Sequence, residues 1–493
     1  MKLEFKQLPT EALPALAWVA QHTAGAPEHL DVFCGELVEK GDNFVVEGVW
    51  PGAFTELEFV ASELFYGSGL RVIDDEVYFV SSCSTVDRLW VHQDAETITV
   101  SNSLPCLLAA ADIDLIESNS NYASAVETIV KGRDYQKDFP VSRGTLQVHY
   151  FENICLTSGM LQIKEKGLNV EPFLQFEDYS RFLYETALAI GDNARDPARR
   201  LPVEVITTVS KGYDSPVSSL LAKKAGATKA LTLKAARSVF PREDSGKEIA
   251  DLLGLQCKEY VFERKNILDE KWYWAANGSL QDMNFSVFSY PKGPSVLFTG
   301  FNGDMVWSKE KNLQADFLKR KDSTGLGFCE HRLVKGVIHC PVPYWGIRHV
   351  SDIKKISNSD YMTPWSVAGD YDRPVPRRLV EEVGIPRTHF GIQKSATTID
   401  DLVLLPVSPK LKNEYQKFLK LNNIPTQKVM GFSPMRTMVD VWRSLFRQRI
   451  IDLTNPILNL SASKRTFGWE DYLFPWANQS LKPKKHFTMR DSE

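Results

Sequence analysis

The residues with the greatest chemical potential lie in two short turns. The first is Ser210-Lys-Gly-Tyr-Asp-Ser215, which gathers a glycine, two hydroxyls, a lysine and an aspartate. A phosphate cradle needs backbone N–H groups free to point inward, which a glycine turn at a helix N-terminus provides, and a cation to offset the charge. Gly212 permits the tight turn, and the hydroxyls of Ser210 and Ser215 can donate to phosphate oxygens. Asp214 beside a polyphosphate is repulsive unless Mg²⁺ bridges the two. The same residues serve as a capped helix start, with Asp214 or Ser215 as the cap and Gly212 as the turn residue. The second turn lies in Ser295-Val-Leu-Phe-Thr-Gly-Phe-Asn-Gly-Asp-Met-Val-Trp307, where an apolar run leads to Gly303 and Asp304. Two strand-end turns with one aspartate each are what a shared Mg²⁺ requires, and equally what two ordinary turns of a twisted sheet look like.

These turns need elements to position them. Residues 203–209 form an apolar, β-branched run; 216–224 are amphipathic and stop at Gly226; 229–233 read as a second strand; 244–253 read as a second helix stopped by Gly254. Strand, helix, strand, helix at this spacing predicts a parallel sheet with right-handed crossovers. Ligands of such sheets sit at the carboxyl ends of the strands, where 210–215 falls. Ahead of this region, short alternating segments at 43–50, 76–80 and 96–100, separated by Gly, Asp and Asn turns, predict a mostly antiparallel β domain. A short helix is expected over 104–111, with Ser103 as its cap. A longer one is expected over 176–190, with Tyr179, Phe182, Leu183 and Ala187 at helical spacing and a polar, proline-containing link at 193–200. The boundary is placed near residue 170, giving domains 1–170 and 171–493. Further helical patterns occupy 411–421 and 438–451.

The 493-residue length exceeds what one hydrophobic core usually fills, in keeping with two domains. With 43% hydrophobic and 24% charged residues the composition is that of a soluble globular protein, and a net charge of -4 without a long Lys/Arg block argues against a nucleic-acid partner. No apolar run reaches the roughly 18 residues of a membrane span, and MKLEFKQLPTEAL does not read as a signal peptide, so a cytoplasmic location without membrane association is expected. The 7 cysteines, Cys34, Cys83, Cys106, Cys155, Cys257, Cys329 and Cys340, form no CxxC pair, which argues against a disulfide framework or a zinc ribbon. Cys329, His331, His339 and Cys340 are close enough in sequence to be zinc ligands, but their spacing matches no common zinc pattern and burial is the expectation. Trp272, Tyr273 and Trp274, or Tyr344 and Trp345, suit an acceptor pocket, although such clusters are more often core.

SKGYDS resembles the PP-loop SGGxDS of the ATP pyrophosphatases, and its setting most closely resembles the asparagine synthetase-like branch, in which a turn of the form GxGGDE follows at about the distance of Thr299-Gly-Phe-Asn-Gly-Asp304. Tyr361-Met-Thr-Pro-Trp365, Tyr371-Asp-Arg-Pro-Val-Pro-Arg-Arg378, Glu382-Val-Gly-Ile-Pro-Arg387 and Phe390-Gly-Ile-Gln-Lys394 are similar to the stretch before that family's phosphate-contacting lysine. Arg88-Leu-Trp-Val-His92 and Val100-Ser-Asn-Ser-Leu-Pro105 are similar to strands of the glutamine-hydrolysing, N-terminal-nucleophile domain fused ahead of the synthetase. The resemblance implies an α/β protein: an Ntn-hydrolase-like β-rich sandwich followed by a doubly wound parallel-sheet PP-loop domain of the adenine nucleotide α-hydrolase-like type. It implies an ATP-dependent ligase that uses Mg²⁺, adenylates a carboxylate or amide oxygen of a small-molecule or peptide acceptor, and lets nitrogen displace AMP. Ser210, Lys211, Gly212, Asp214, Ser215 and Gly303 would hold the phosphates, and Leu231 and Leu233 would offer main chain to adenine. Asp214 and Asp304 would share the metal, and Lys394 would act on the transferring phosphate.

Two departures qualify the match. Lys211 stands where the family has glycine, so its side chain must point away from the phosphates or supplement the cradle. Met1-Lys2 stands where the family has its nucleophilic cysteine, so the first domain is expected to release no ammonia from glutamine. The nitrogen would then come from free ammonia, a substrate amine or a separate protein, as when β-lactam synthetases close an amide within one substrate. A nucleotide-binding or scaffold protein without chemistry is the alternative. Sulfur transfer to a nucleobase is disfavoured by the missing basic surface and CxxC.

Overall fold

Short β-branched and aromatic runs divided by turn residues favour paired strands. In the computed structural model, which describes residues 1–6, 13–236, 242–263, 267–309, 316–367, 371–390, 404–429, 432 and 470–483, the first half of the chain forms two such sheets. Its strands are β1 (Lys2–Phe5), β2 (Trp18–Thr23), β3 (His29–Cys34), β4 (Glu39–Gly41), β5 (Phe44–Val49), β6 (Tyr66–Ile73), β7 (Glu76–Val80), β8 (Leu89–Gln93), β9 (Thr97–Ser101), β10 (Asp138–Phe139), β11 (Thr145–His149), β12 (Asn153–Thr157) and β13 (Met160–Lys164). One sheet runs β1-β3-β2-β9-β8-β11-β10 and is mixed, because β1 joins β3 in parallel while the other pairs are antiparallel. The other, β13-β12-β7-β6-β5-β4, is antiparallel throughout. The period of two along β7 turns Val77 and Phe79 into a core shared with Trp18, Ala20, Leu30, Val32 and Val100 of the facing sheet. The opposite face of the antiparallel sheet, with Val46, Val80 and Tyr66, packs into a second core with residues from the rest of the chain, including Ile338, Cys340 and Trp345.

That second part contains a five-stranded parallel sheet made of β14 (Glu204–Thr208), β15 (Lys229–Leu233), β18 (Gln256–Tyr260), β19 (Ser295–Thr299) and β20 (Val337–Pro341) in the order β18-β15-β14-β19-β20; the short pair β16 (Ala235–Ala236) and β17 (Arg242–Glu243) lies between β15 and β18 in sequence. The protein is therefore mixed α/β, with one mixed, one antiparallel and one parallel principal sheet. All residues of β19, and of the edge strand β20, are buried, as expected of parallel strands covered on both faces. The chain runs from β14 outward through β15 and β18, then returns to place β19 and β20 on the other side, so the direction of winding reverses between β14 and β19. Ligand crevices of open α/β sheets form at such a reversal, because the crossover segments diverge to opposite faces there.

The helices follow their sequence signals with shifts that packing explains. The chain forms α1 (Leu104–Ala110), α2 (Tyr122–Glu127), α3 (Phe176–Ala194), α4 (Asp214–Lys224), α5 (Lys247–Leu252), α6 (Glu270–Asn277), α7 (Gly303–Val306), α8 (Cys329–Val334), α9 (Val350–Asn358), α10 (Pro374–Glu382) and α11 (Pro409–Leu421), and Leu473–Leu481 is helical near the end. Gly226 and Gly254 stop α4 and α5 with φ of 95° and 70°, which glycine adopts without steric cost. Helix α3 continues past Ile190 because Gly191 lets it lie against the Ala225 carbonyl, where a Cβ would come within 2.3 Å. Ser103 precedes α1 but is not its side-chain cap; its hydroxyl donates to Glu330 Oε2 (2.7 Å), and Glu330 Oε1 accepts the Leu104 N–H (2.8 Å), so α8 caps α1 from across the structure. The helical pattern over 438–451 lies outside the described residues. Among the described residues no helix is long and apolar enough to cross a membrane.

Candidate nucleotide site at the winding reversal

The first turn, 209–213, links β14 to α4, and the second, 300–302, links β19 to α7, so both lie at the carboxyl ends of the strands that flank the reversal. They touch. A Cβ added to Gly303 would lie 2.4 Å from the Asp214 carboxyl carbon, and one added to Gly300 would lie 2.7 Å from the Asp214 main chain and 2.8 Å from the Ser215 nitrogen. Glycine is required at 300 because the main chain at the N-terminus of α4 seats directly on the second turn, whereas at 303 the close neighbour is the Asp214 carboxyl. Asn302 accommodates the bend with a left-handed φ of 70°.

Backbone N–H groups at the start of a helix need partners, and in this loop those of Ser210, Gly212 and Tyr213 find them inside the protein. The Ser210 N–H donates to Ser215 Oγ (2.9 Å), and the two serine hydroxyls share a hydrogen bond (2.8 Å). The Gly212 N–H donates to Ser210 Oγ (3.3 Å) and the Tyr213 N–H to the Tyr371 hydroxyl (3.2 Å). The Asp244 carboxyl is 2% exposed and lies beside Lys211. Neither Asp214 nor Ser215 caps α4, whose N-cap position is taken by Tyr213 without a side-chain bond. The Lys211 ammonium leans to Glu243 Oε1 at 3.3 Å rather than folding over the loop. Residues 244–246 cover one side: Ser245 forms a bridge with Ser210, and Gly246 is so close that a Cβ would lie 2.7 Å from the Ser210 nitrogen. This contact explains why α5 starts at Lys247 rather than near 244.

Asp214 has an unexpected partner. Its Oδ2 is in contact with Nη1 of Arg373, whose side chain is 4% exposed and whose guanidinium stacks over the Tyr371 ring at 4.6 Å. Burial lowers the Arg373 pKa to about 10, which leaves it cationic at neutral pH. Asp214 Oδ1 is buried without a hydrogen-bond partner among the described residues. Burial pushes the Tyr371 phenol up to about 12, with the charges of Asp244 and Asp304 adding to the effect. Asp304 itself lies in the first turn of α7.

For the expected shared Mg²⁺, Asp214 already carries a guanidinium, which a metal ion would have to displace or share. Leu231 and Leu233 are buried in β15, and the Leu231 carbonyl already accepts the Val209 N–H (3.0 Å). Lys394 lies outside the described residues. Cys329, His331, His339 and Cys340 are buried and separately engaged: Arg88 donates to the Cys329 thiol, His331 stacks on Tyr273 with centroids 4.6 Å apart, and His339 Nε2 pairs with Thr299 Oγ1 at 2.8 Å. Burial drives the pKa of both imidazoles down to about 3. Tyr273, Trp274, Tyr344 and Trp345 are core residues.

Three residues that matter at this site, Asp244, Tyr371 and Arg373, carry no isolated signal in the sequence. The run 371–378 is marked only by resemblance, and nothing local identifies Arg373 as the partner of an aspartate so far away in the chain. Asp244 has a testable signature: burial raises its pKa to about 7 even with Lys211 opposing the shift. The folded state therefore holds this proton more tightly than the unfolded chain, whose carboxyl titrates near 4, so this group's contribution to stability falls as pH rises from about 4 to about 7. Asp244→Asn is expected to flatten that slope in urea titrations across this range; an unchanged slope would mean that the carboxyl is in water. No protein-family model and no curated protein sequence matches the chain.

Proposed function

We propose that the protein is an ATP-dependent, AMP-forming ligase of the asparagine synthetase-like kind. In this reading the parallel-sheet region is a PP-loop synthetase domain and the β-rich region before it is a degenerate Ntn-type partner. ATP would lie in the crevice between the turns at 209–213 and 300–304, and the chain would join a small-molecule or peptide carboxylate or amide to a nitrogen nucleophile. The observation that carries the reading is the direct seating of Asp214 on Gly303 at the winding reversal, which brings both motif turns to the place where such sheets bind nucleotides. The chain's own residues supply binding and orientation: Ser210 and Ser215 offer hydroxyls, and Arg373 offers a buried positive charge where phosphoryl charge would develop. For phosphate to reach these N–H groups, the Tyr371 hydroxyl must release that of Tyr213.

The occupied loop amides and the Asp214–Arg373 pair favour a second reading, a nucleotide-binding or scaffold protein without chemistry. ATP–pyrophosphate exchange in the presence of candidate carboxylates separates the two. Asp214→Asn, which takes the counter-charge from Arg373, is expected to lower exchange by about 100-fold or more. Equal exchange in the wild type and this variant would remove Asp214 from the mechanism, and ATP binding without any exchange would favour the second reading.

A further inference from the structure

We infer that Arg373 is the resident cation of this site, so that a nucleotide's polyphosphate is held by a guanidinium and needs no divalent metal ion. The inference rests on the nucleotide reading above and specifies how that site balances its charge. Arg373 is the residue before α10, whose first position is Pro374, and its guanidinium is fixed by the Asp214 carboxylate on one side and the Tyr371 ring on another. Tyr371 in turn accepts the Tyr213 N–H, so the arginine is tied to the loop expected to meet phosphate. A guanidinium carries five N–H donors in a planar fork, and a single contact with Asp214 leaves donors available for phosphate oxygens.

The same geometry opposes a metal at Asp214. A divalent ion there would have to separate the pair and leave the buried Arg373, which is 3% exposed, without its counter-charge. Asp214 then acts as the group that orients the guanidinium, and its unpaired Oδ1 is the atom that would otherwise invite a metal. Charge-assisted contacts from arginine to phosphate oxygens are strong and directional, which is what a metal bridge would otherwise provide.

The test is equilibrium binding of ATP, and of inorganic pyrophosphate alone, to the full chain in excess EDTA and in excess Mg²⁺. The wild type is expected to bind ATP with dissociation constants within about threefold of each other in the two conditions. Arg373→Met is expected to weaken binding by at least about tenfold in both, with Arg373→Lys recovering part of the loss because it keeps charge without the fork. Binding by the wild type only with Mg²⁺, or metal-free binding that Arg373→Met leaves intact, would overturn the inference while leaving the nucleotide reading in place. Absence of ATP binding in either condition would overturn both. The wild-type comparison alone is decisive should a variant fail to fold, which its thermal melt would reveal.

Discussion

Replacing Arg332 with methionine is expected to cost about 3–5 kcal/mol of folding stability at pH 7. Arg332 projects from α8 into the β-rich part of the molecule, where it makes a bidentate pair with Glu47 (2.9 and 3.0 Å) and contacts Asp87 at 2.5 Å. All three side chains are almost fully buried. Glu47 also accepts from the Ser68 hydroxyl (2.7 Å), which in turn accepts the Trp18 indole N–H (2.9 Å), so the ion group is joined to the core between the two β sheets. Burial pushes both carboxyls above their ordinary range, and Arg332 opposes that shift. Without the arginine, the carboxylates must remain charged and unpaired or take up protons, and each unit of pH above the unfolded carboxyl pKa makes that uptake cost about 1.4 kcal/mol per group. The deficit of the variant should therefore shrink as pH falls from 7 toward 5. Urea denaturation at both pH values measures it. A loss below about 1 kcal/mol at pH 7, within the range of an exposed ion pair, would show that water reaches this group. Combining Arg332→Met with Glu47→Gln and Asp87→Asn should recover part of the loss, because no unpaired charge then stays behind.

Gly300→Ala is the second change with a large expected effect, and it acts on stability and site together. The added methyl would meet main-chain atoms of Asp214 and Ser215 at 2.7–2.8 Å, and backbone at the start of a helix cannot rotate aside as a flexible side chain can. The cost is expected to be about 1–3 kcal/mol. The strain can be relieved only by lifting α4 off the second turn, and a displacement of about 1 Å in a reacting site is enough to lower activity by about 100-fold. Thermal melting and nucleotide binding, measured on the same preparation, should therefore fall together. Gly293→Ala is the control, because a Cβ there meets nothing within 4 Å, and it should behave as the wild type. Normal binding by Gly300→Ala would mean that the two turns need not meet for the site to work.

Much of the local architecture is legible in the chain alone. The alternation of β14, α4, β15 and α5 shows in the change from apolar strand runs to helical spacing, and Gly226 and Gly254 mark the helix ends because a left-handed residue is needed there. The paired strands of the first half show in their period of two and their turn residues. Boundaries were less legible where a neighbour decided them: α5 begins late because Gly246 packs on Ser210, and α3 runs long because Gly191 admits the Ala225 carbonyl. In the sequence Gly303 reads as a phosphate-turn glycine, whereas its constraint in the fold is the Asp214 carboxyl against it.

Composition, periodicity and turn chemistry thus determined the class of fold, the order of its elements and the two motif turns, since each depends on interactions within a few residues of chain. Only the tertiary structure decided that Arg373 faces Asp214, that Glu330 caps α1, and that the Tyr371 hydroxyl occupies the Tyr213 amide of the loop. The physical reason is that a buried charge or an open N–H takes whatever partner the packing of strands and helices brings within about 3 Å. Which partner that is depends on how distant segments fold over one another, and this leaves no periodic trace in the residues themselves.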